Sequence, residues 1–306
     1  MRLVALFGPT GVGKTAVAIA LAELLREQGE DPIAVSADAL QVYRGLESLT
    51  GAATEAQQAR LEHRLLSFVD PADSFSAGEF ADRAHAEIEA ALASGRRPIV
   101  VGGTGLYLQA ALTDLELRPP PDPSTRARVQ ARLDEIGSEA LHQELATRAP
   151  DTARAIDPHD RTRVGRALEL LEMGEEPAAT GADSRLWTAN LRHPTLLCGL
   201  TMQRAALYER IDARVEAIVA AGAAAEVRSV DEAGASRNAR SALGFEELLE
   251  GDTEAMKRRT RNYAKRQLSW MRRLGGVHEI DLTATAPESA AADIGHILAA
   301  RPGSAA

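Results

Sequence analysis

The stretch LVALFGPTGVGKTAVAIALAELLRE, residues 3–27, decides the fold. Leu3 to Phe7 is a short apolar run ended by glycine, which reads as a buried strand. Gly8, Pro9, Thr10, Gly11, Val12, Gly13, Lys14 and Thr15 fit the pattern G-x-x-x-x-G-K-[ST]. Glycines there let successive backbone N–H groups converge on one anion, and the helix that follows adds its dipole. Lys14 supplies a point charge for the outer phosphate, and the Thr15 hydroxyl can ligate Mg²⁺. Ala16 to Glu27 carries Val17, Ile19, Leu21, Leu24 and Leu25 as an apolar helical face, and Gly29 stands where a helix stops. A plain glycine turn would not need Lys14 and Thr15 together, so residues 8–15 are the candidate binders of a phosphorylated ligand.

The same rhythm repeats downstream. Ile33 to Val35 is a second apolar run and meets Ser36-Ala37-Asp38. A helix is expected over Ala77 to Ala93, ended by Gly95, and a third run, Pro98 to Val101, meets Gly102-Gly103-Thr104-Gly105. Strands alternating with helices predict a parallel sheet with right-handed crossovers. Ligands of such sheets sit at the carboxyl ends of the strands, so the glycine loop, Asp38 and Thr104 are expected to face one pocket. NTPases and kinases place a magnesium-binding carboxylate at a neighbouring strand end. The third run ends in glycines and a threonine instead, which suit another anion contact. Asp38 is open to three readings: a Mg²⁺ ligand, a base toward a second substrate, or a helix cap.

Around Leu117 the character changes. Arg118 to Pro123 is a proline-rich linker, and Ser124 to about Leu171 reads as helices only, with turns at Gly137, Pro150 and Pro158. Glu175 to Ser184 reads as a polar loop, Thr195 to Thr201 as a strand, Arg204 to Val230 and Thr253 to Leu274 as long helices, and Pro302 to Ala306 as a disordered tail. The expected organisation is an α/β core from 1–115 and 189–306, with a helical insertion over 116–188.

Composition narrows the setting. In 306 residues no apolar run reaches the length of about 18 that a membrane span needs. A single cysteine, Cys198, excludes an internal disulfide and a Cys-rich metal site, and the seven histidines lack paired metal spacing. A cytosolic protein is expected. The net charge of −9 argues against a polyanionic partner, yet residues 257–273 (KRRTRNYAKRQLSWMRR) hold eight Lys or Arg and no acid. That leaves −17 for the rest of the chain. Positive charge mixed with Tyr263 and Trp270 fits phosphate contact and base stacking. Arg163 and Arg166 share a helical face, and Arg210 and Arg214 form an i, i+4 pair, both patterns that a solvated helix also explains.

Several segments together resemble one family, the tRNA dimethylallyltransferases. They are GPTGVGKT (8–15), SADALQVYRGL (36–46), HRLLSFVDP (63–71), GGTGLYL (102–108), DRTRVGRALEL (160–170), GFEEL (244–248) and TRNYAKRQLSWMRRL (260–274). The resemblance implies a P-loop NTPase-like parallel sheet flanked by helices, with an all-helical insertion that grips the anticodon stem. It implies transfer of a dimethylallyl group from dimethylallyl diphosphate to N6 of adenine 37 in tRNAs that read codons beginning with U, with Mg²⁺ as cofactor. On that reading Asp38 is the general base, Arg214 the arginine near the diphosphate, and Thr104 a hydroxyl on the leaving group. Gln41, Val42, Tyr43, Arg44, Gly105, Arg163, Arg166, Gly244, Phe245, Arg261, Lys265 and Arg266 fall in segments that contact tRNA. A monomer is expected, since the substrate itself bridges the two subdomains.

The chain departs from the family after Arg44. The usual Asp-Ile-Gly-Thr-Ala-Lys-Pro is here Glu47-Ser48-Leu49-Thr50-Gly51-Ala52-Ala53, without the lysine. Two other readings stand beside the tRNA prenyltransferase. An adenylate isopentenyltransferase would run the same chemistry on AMP, ADP or ATP, but needs neither the insertion nor the basic segment. A small-molecule kinase is disfavoured by the missing carboxylate at Gly102-Gly103.

Overall fold

The repeated strand-loop-helix pattern resolves into a parallel sheet of six strands. The computed structural model describes residues 2–115, 118–177 and 190–300. By their contacts they form two compact units, 1–115 with 189–306 and 116–188. The strands are β1 (Leu3–Phe7), β2 (Pro32–Ala37), β3 (His63–Arg64), β4 (Arg97–Gly102), β5 (Thr195–Thr201) and β6 (His278–Asp281). Their order is β3-β2-β4-β1-β5-β6, and every pairing is parallel. All residues of β1 and β2 are buried, as unbroken apolar runs covered on both faces should be.

In the larger unit the helices are α1 (Lys14–Glu27), α2 (Glu47–Thr50), α3 (Glu55–Arg60), α4 (Ala77–Ala93) and α5 (Gly105–Leu112). The smaller unit holds α6 (Pro123–Arg148), α7 (Pro150–Arg154) and α8 (Arg161–Glu172). The chain then adds α9 (Arg204–Ala220), α10 (Ala223–Glu232), α11 (Arg237–Arg240), α12 (Phe245–Glu250), α13 (Thr253–Met271) and α14 (Pro287–Ala299) to the larger unit.

Register brings the strand ends level. Gly102 pairs with Phe7 on one side and with Ala37 on the other, so β1, β2 and β4 release their loops at one edge. The glycines there are steric necessities: a Cβ on Gly102 would stand 2.2 Å from the Ala37 carbonyl oxygen, and one on Gly8 2.7 Å from that of Leu200. The apolar face read from α1 packs into the core with Leu6, Ile99, Leu200 and Ile294.

The smaller unit has its own core of Val129, Leu133, Leu141, Leu145, Val164 and Leu168. Gly137 (φ 81°) kinks α6 at the expected turn, and the missing side chain of Gly165 lets α8 approach Leu133. Asp122 and Asp160 cap α6 and α8 with their carboxylates.

Two expectations change. The helix read over Arg204 to Val230 is two helices, because Gly222 takes φ 87° after α9 and starts α10. The sequence reading also passed over β3 and β6, which are short and largely exposed. The tail Pro302 to Ala306 and the end of the 175–184 loop lie outside the described residues. Among the described residues no helix is long and apolar enough to cross a membrane. Cys198 is buried in β5, where desolvation pushes its thiol up to about 12.

Candidate active site

The glycine loop leaves β1 and returns as α1. Gly11 (φ 81°) and Gly13 (φ 109°) hold left-handed backbone that side chains resist. Gly13 caps α1 with no side chain on the first amides, so that helix start is open to an anion. Lys14 Nζ folds back on the carbonyls of Gly8 (2.9 Å) and Pro9 (3.1 Å). Burial pulls its pKa down to about 8, Asp38 opposes that shift, and Arg214 adds to it. One loop amide is already spent: Thr10 N–H donates to Gln267 Oε1 at 2.8 Å.

Asp38 follows β2, and its Oδ1 accepts from the Leu40 amide at 3.0 Å. No helix starts at this turn, since the next is α2 at Glu47, so Asp38 is not a helix cap; its carboxylate faces the cleft and acts electrostatically on Lys14, Arg214 and Tyr263. Thr104 begins α5 but does not cap it. A capping hydroxyl is worth about 1 kcal/mol, so its diversion is informative. Thr104 Oγ1 instead lies 3.4 Å from the Ala39 amide and 3.3 Å from the Tyr263 hydroxyl. Burial, with the Asp38 charge, raises the Tyr263 pKa, so the phenol stays protonated.

Arg214 reaches from α9 to the loop after α2. Its Nη2 donates to the Thr50 carbonyl at 3.1 Å, and it occupies the space above Gly51, where a Cβ would stand 1.8 Å from Nη2. Burial lowers its pKa and Asp38 opposes that. The divergent stretch is thus built around this arginine. Glu226 of α10 accepts from the Ser48 (3.1 Å) and Leu49 (3.3 Å) amides, and the Gln41 amide donates to the Gly51 carbonyl at 3.2 Å. Arg210, one turn earlier on α9, lies against Val12 and Gly13.

One open cleft of about 1060 Å³ is walled by Lys14, Thr15, Asp38, Gln41, Arg214 and Tyr263 among others, and Thr104 stands behind Tyr263 and Ala39 rather than in its lining. Among the described residues no cluster of three His, Cys, Asp or Glu could hold a metal by itself. Mg²⁺ commonly takes one or two protein oxygens and fills the rest of its shell with phosphate and water. The Thr15 hydroxyl and the Asp38 carboxylate in the same cleft fit that demand.

The candidate tRNA contacts separate into groups. Val42, Tyr43 and Phe245 are almost wholly buried, so their side chains serve the core. Gly244 takes φ 96° against Met256, a packing glycine. Gly105 lies under the Trp270 ring, which is therefore half-buried packing and not a free stacking platform. Arg44 and Arg163 are exposed, and Arg163 pairs with Asp160 at 3.4 Å. Arg166 pairs with Glu169 and donates to the Pro119 carbonyl at 2.5 Å.

The basic segment also changes meaning. Acids of α9, α12 and the first turn of α13 neutralise part of it: Arg261 binds Asp212 at 2.7 Å, Arg259 binds Glu247 at 2.9 Å, and Lys257 binds Glu216 and Glu254 at 2.8 Å each. Lys265 and Arg266 remain exposed on α13, beside the rings of Tyr208 and Tyr263 respectively. The sequence reading missed Gln267. It is 1% exposed, receives Thr10 N–H and donates to the Gly103 carbonyl at 2.8 Å, so it ties the glycine loop to the end of β4. A polar residue among the a/d-like buried positions Thr260, Ala264 and Met271 of α13 was the available signal.

A family model described as IPP transferase matches residues 41–274. The chain belongs to the IPP transferase family. It is 41% identical to a tRNA dimethylallyltransferase of Kineococcus radiotolerans, over 90% of this chain and 89% of that protein. It is 38% identical to one of Geobacillus thermodenitrificans, over 92% and 91%. Among solved structures, a tRNA isopentenylpyrophosphate transferase of Bacillus halodurans aligns with TM-score 0.69 and 33% identity, covering 97% of this chain and 95% of that one. A eukaryotic dimethylallyltransferase acting on tRNA aligns with TM-score 0.77 and 26% identity, covering 99% and 81%. As an IPP transferase family member, the chain is a transferase on a P-loop NTPase-like fold, as the resemblance implied.

Proposed function

We propose that this protein transfers a dimethylallyl group from dimethylallyl diphosphate to N6 of adenine 37 in tRNAs that read UNN codons. The observation that carries the reading is the meeting of a carboxylate, Asp38, with two half-buried cations, Lys14 and Arg214, in one cleft, on a chain whose relatives bear the name tRNA dimethylallyltransferase.

The chemistry divides between the two kinds of group. Diphosphate leaves readily only when its charge is balanced, and the loop amides, Lys14, Arg214 and the Thr104 hydroxyl supply positive ends where that charge develops. Thr15 would hold Mg²⁺ against the diphosphate, where the ion supplies further charge neutralisation. The N6 lone pair of adenine is delocalised into the ring and is a weak nucleophile. Asp38 accepts the N6 proton as the new C–N bond forms, a role worth roughly 10²–10⁴-fold in rate. The C–O bond to the allylic carbon breaks with its electron pair leaving on diphosphate.

Adenine in a stacked anticodon loop must be drawn out to reach the cleft. The helical unit 116–188 is the proposed grip on the anticodon stem, with Arg163 and Arg166 on one helix face. Arg44, Lys265 and Arg266 are the exposed cations of the larger unit among the proposed contacts. A cytoplasmic monomer completes the reading. The test is incubation with labelled dimethylallyl diphosphate, Mg²⁺ and either tRNA or AMP. Label on tRNA is expected; label on AMP alone would make the protein an adenylate isopentenyltransferase, and ATP hydrolysis without prenyl transfer would point to a kinase.

A further inference from the structure

A single helical turn, α2, stands between α10 and the cleft, and a turn this short is not stable by itself. Its N-cap is Leu46, which offers no side-chain oxygen to the first amides. The acceptor comes from 177 residues away. Glu226 Oε2, on α10, accepts from the Ser48 amide at 3.1 Å and from the Leu49 amide at 3.3 Å, and Oε1 accepts from the Ser48 amide at 3.3 Å. A carboxylate also suits the positive end of the turn's dipole. Leu46 and Leu49 are buried, so the turn is pinned on its apolar side as well.

The other end of α2 meets the cleft. Gly51 takes φ 60°, and its N–H turns back to the Ser48 carbonyl at 3.2 Å. The Thr50 carbonyl accepts from Arg214 Nη2 at 3.1 Å. Gln41 Nε2 steadies the same end, at 3.2 Å from the Gly51 carbonyl oxygen and 3.5 Å from that of Thr50. A carbonyl, unlike a carboxylate, aims a guanidinium without neutralising it. The acid whose charge acts on Arg214 is Asp38. Glu226 therefore reaches Arg214 through the turn it holds and not through its own field.

We propose that Glu226 is a positioning residue that aims Arg214 at the diphosphate, by holding α2 where the Thr50 carbonyl seats the guanidinium. The inference rests on the reading of Arg214 as a diphosphate contact.

A double-mutant cycle tests this. Titration calorimetry with inorganic pyrophosphate is run on wild type, Glu226→Ala, Glu226→Gln, Arg214→Ala and the double variant with alanine at both positions. Arg214→Ala should weaken binding by about 10²-fold and Glu226→Ala by about tenfold, the upper and lower sizes of a charge-assisted bond. The double variant should bind no more weakly than Arg214→Ala. Glu226→Gln keeps an oxygen for the two amides and loses only the charge on the dipole, so it should stay within about threefold of wild type. Should Glu226→Ala fail to fold, Glu226→Asp, one methylene too short to hold both amides, takes its place with the same expectation. Wild-type affinity in Glu226→Ala, additive losses in the double variant, or a full loss in Glu226→Gln would overturn the positioning role. Wild-type affinity in Arg214→Ala would overturn it too, by removing Arg214 from the diphosphate. A non-additive loss in a protein that transfers no prenyl group to tRNA would sink the reaction reading and leave the positioning role standing.

Discussion

The glycine loop and α13 are two cation-bearing regions of the larger unit, and they use charge in opposite ways. At the loop, Lys14 and, from α9, Arg214 are half-buried beside a single carboxylate, Asp38, and desolvation lowers the pKa of both. They are held at a cost that an anionic ligand would relieve. On α13, Lys257, Arg259 and Arg261 are matched by acids from α9, α12 and the first turn of α13 itself. The richer basic stretch in sequence is therefore the less available one in space. A run of positive charge becomes an interaction face only where the fold withholds its counter-charges.

The comparison can be broken at either region. The largest effect is expected from Asp38→Ala, which should cut turnover by roughly 10²–10⁴-fold while pyrophosphate affinity, measured by calorimetry, stays near wild type. A parallel loss of affinity would move Asp38 from proton acceptance to ligand binding. Gly51→Ala should drive the Arg214 guanidinium from its seat, since the new methyl falls 1.8 Å from Nη2. Its positive φ of 60° adds strain. Pyrophosphate affinity about tenfold weaker is expected, the size of one charge-assisted bond.

The pH response separates the regions again. Lys14 has its pKa lowered to about 8, so it sheds its proton above that pH in the free protein. Pyrophosphate binding in metal-free buffer should weaken as pH rises through about 8 and should take up a proton there, seen as a buffer-dependent heat. The folding sign is opposite: the unfolded chain holds this proton up to the ordinary lysine value of 10.5, so this group makes stability rise with pH between about 8 and 10.5. A pH-independent affinity would remove Lys14 from the ligand.

The smallest effects belong to α13. Removing Lys265 and Arg266 should lower the salt slope of tRNA binding by about 1 each. Arg261→Ala should leave that slope unchanged and cost about 1 kcal/mol of stability through its pair with Asp212. A slope that falls for Arg261→Ala would show that its acid partner lets go on binding.

The legible parts of the fold were those with local causes. β1, the glycine loop and α1 follow from one stretch of sequence, α4 runs over the expected Ala77 to Ala93, and β5 over Thr195 to Thr201. Asp38 and Thr104 could be placed together because parallel strands must deliver their loops to one edge. The acids opposite α13 could not be read, because Asp212 is 49 residues from Arg261. Gln267 looked like one more polar residue in a charged helix until the fold brought Thr10, 257 residues away, onto its oxygen. The burial of Val42 and Tyr43 was hidden for a related reason: they follow Asp38 and Gln41 in a loop that the fold packs inward. In the divergent 47–53 stretch, Gly51 is the seat of Arg214, which comes from α9.

The central claim is that the cleft prenylates one base of an RNA. It is tested most directly by single-turnover transfer from labelled dimethylallyl diphosphate to a UNN-reading tRNA and to the same tRNA with guanine at position 37. The account predicts label on the first and none on the second. Equal labelling of the two would contradict it.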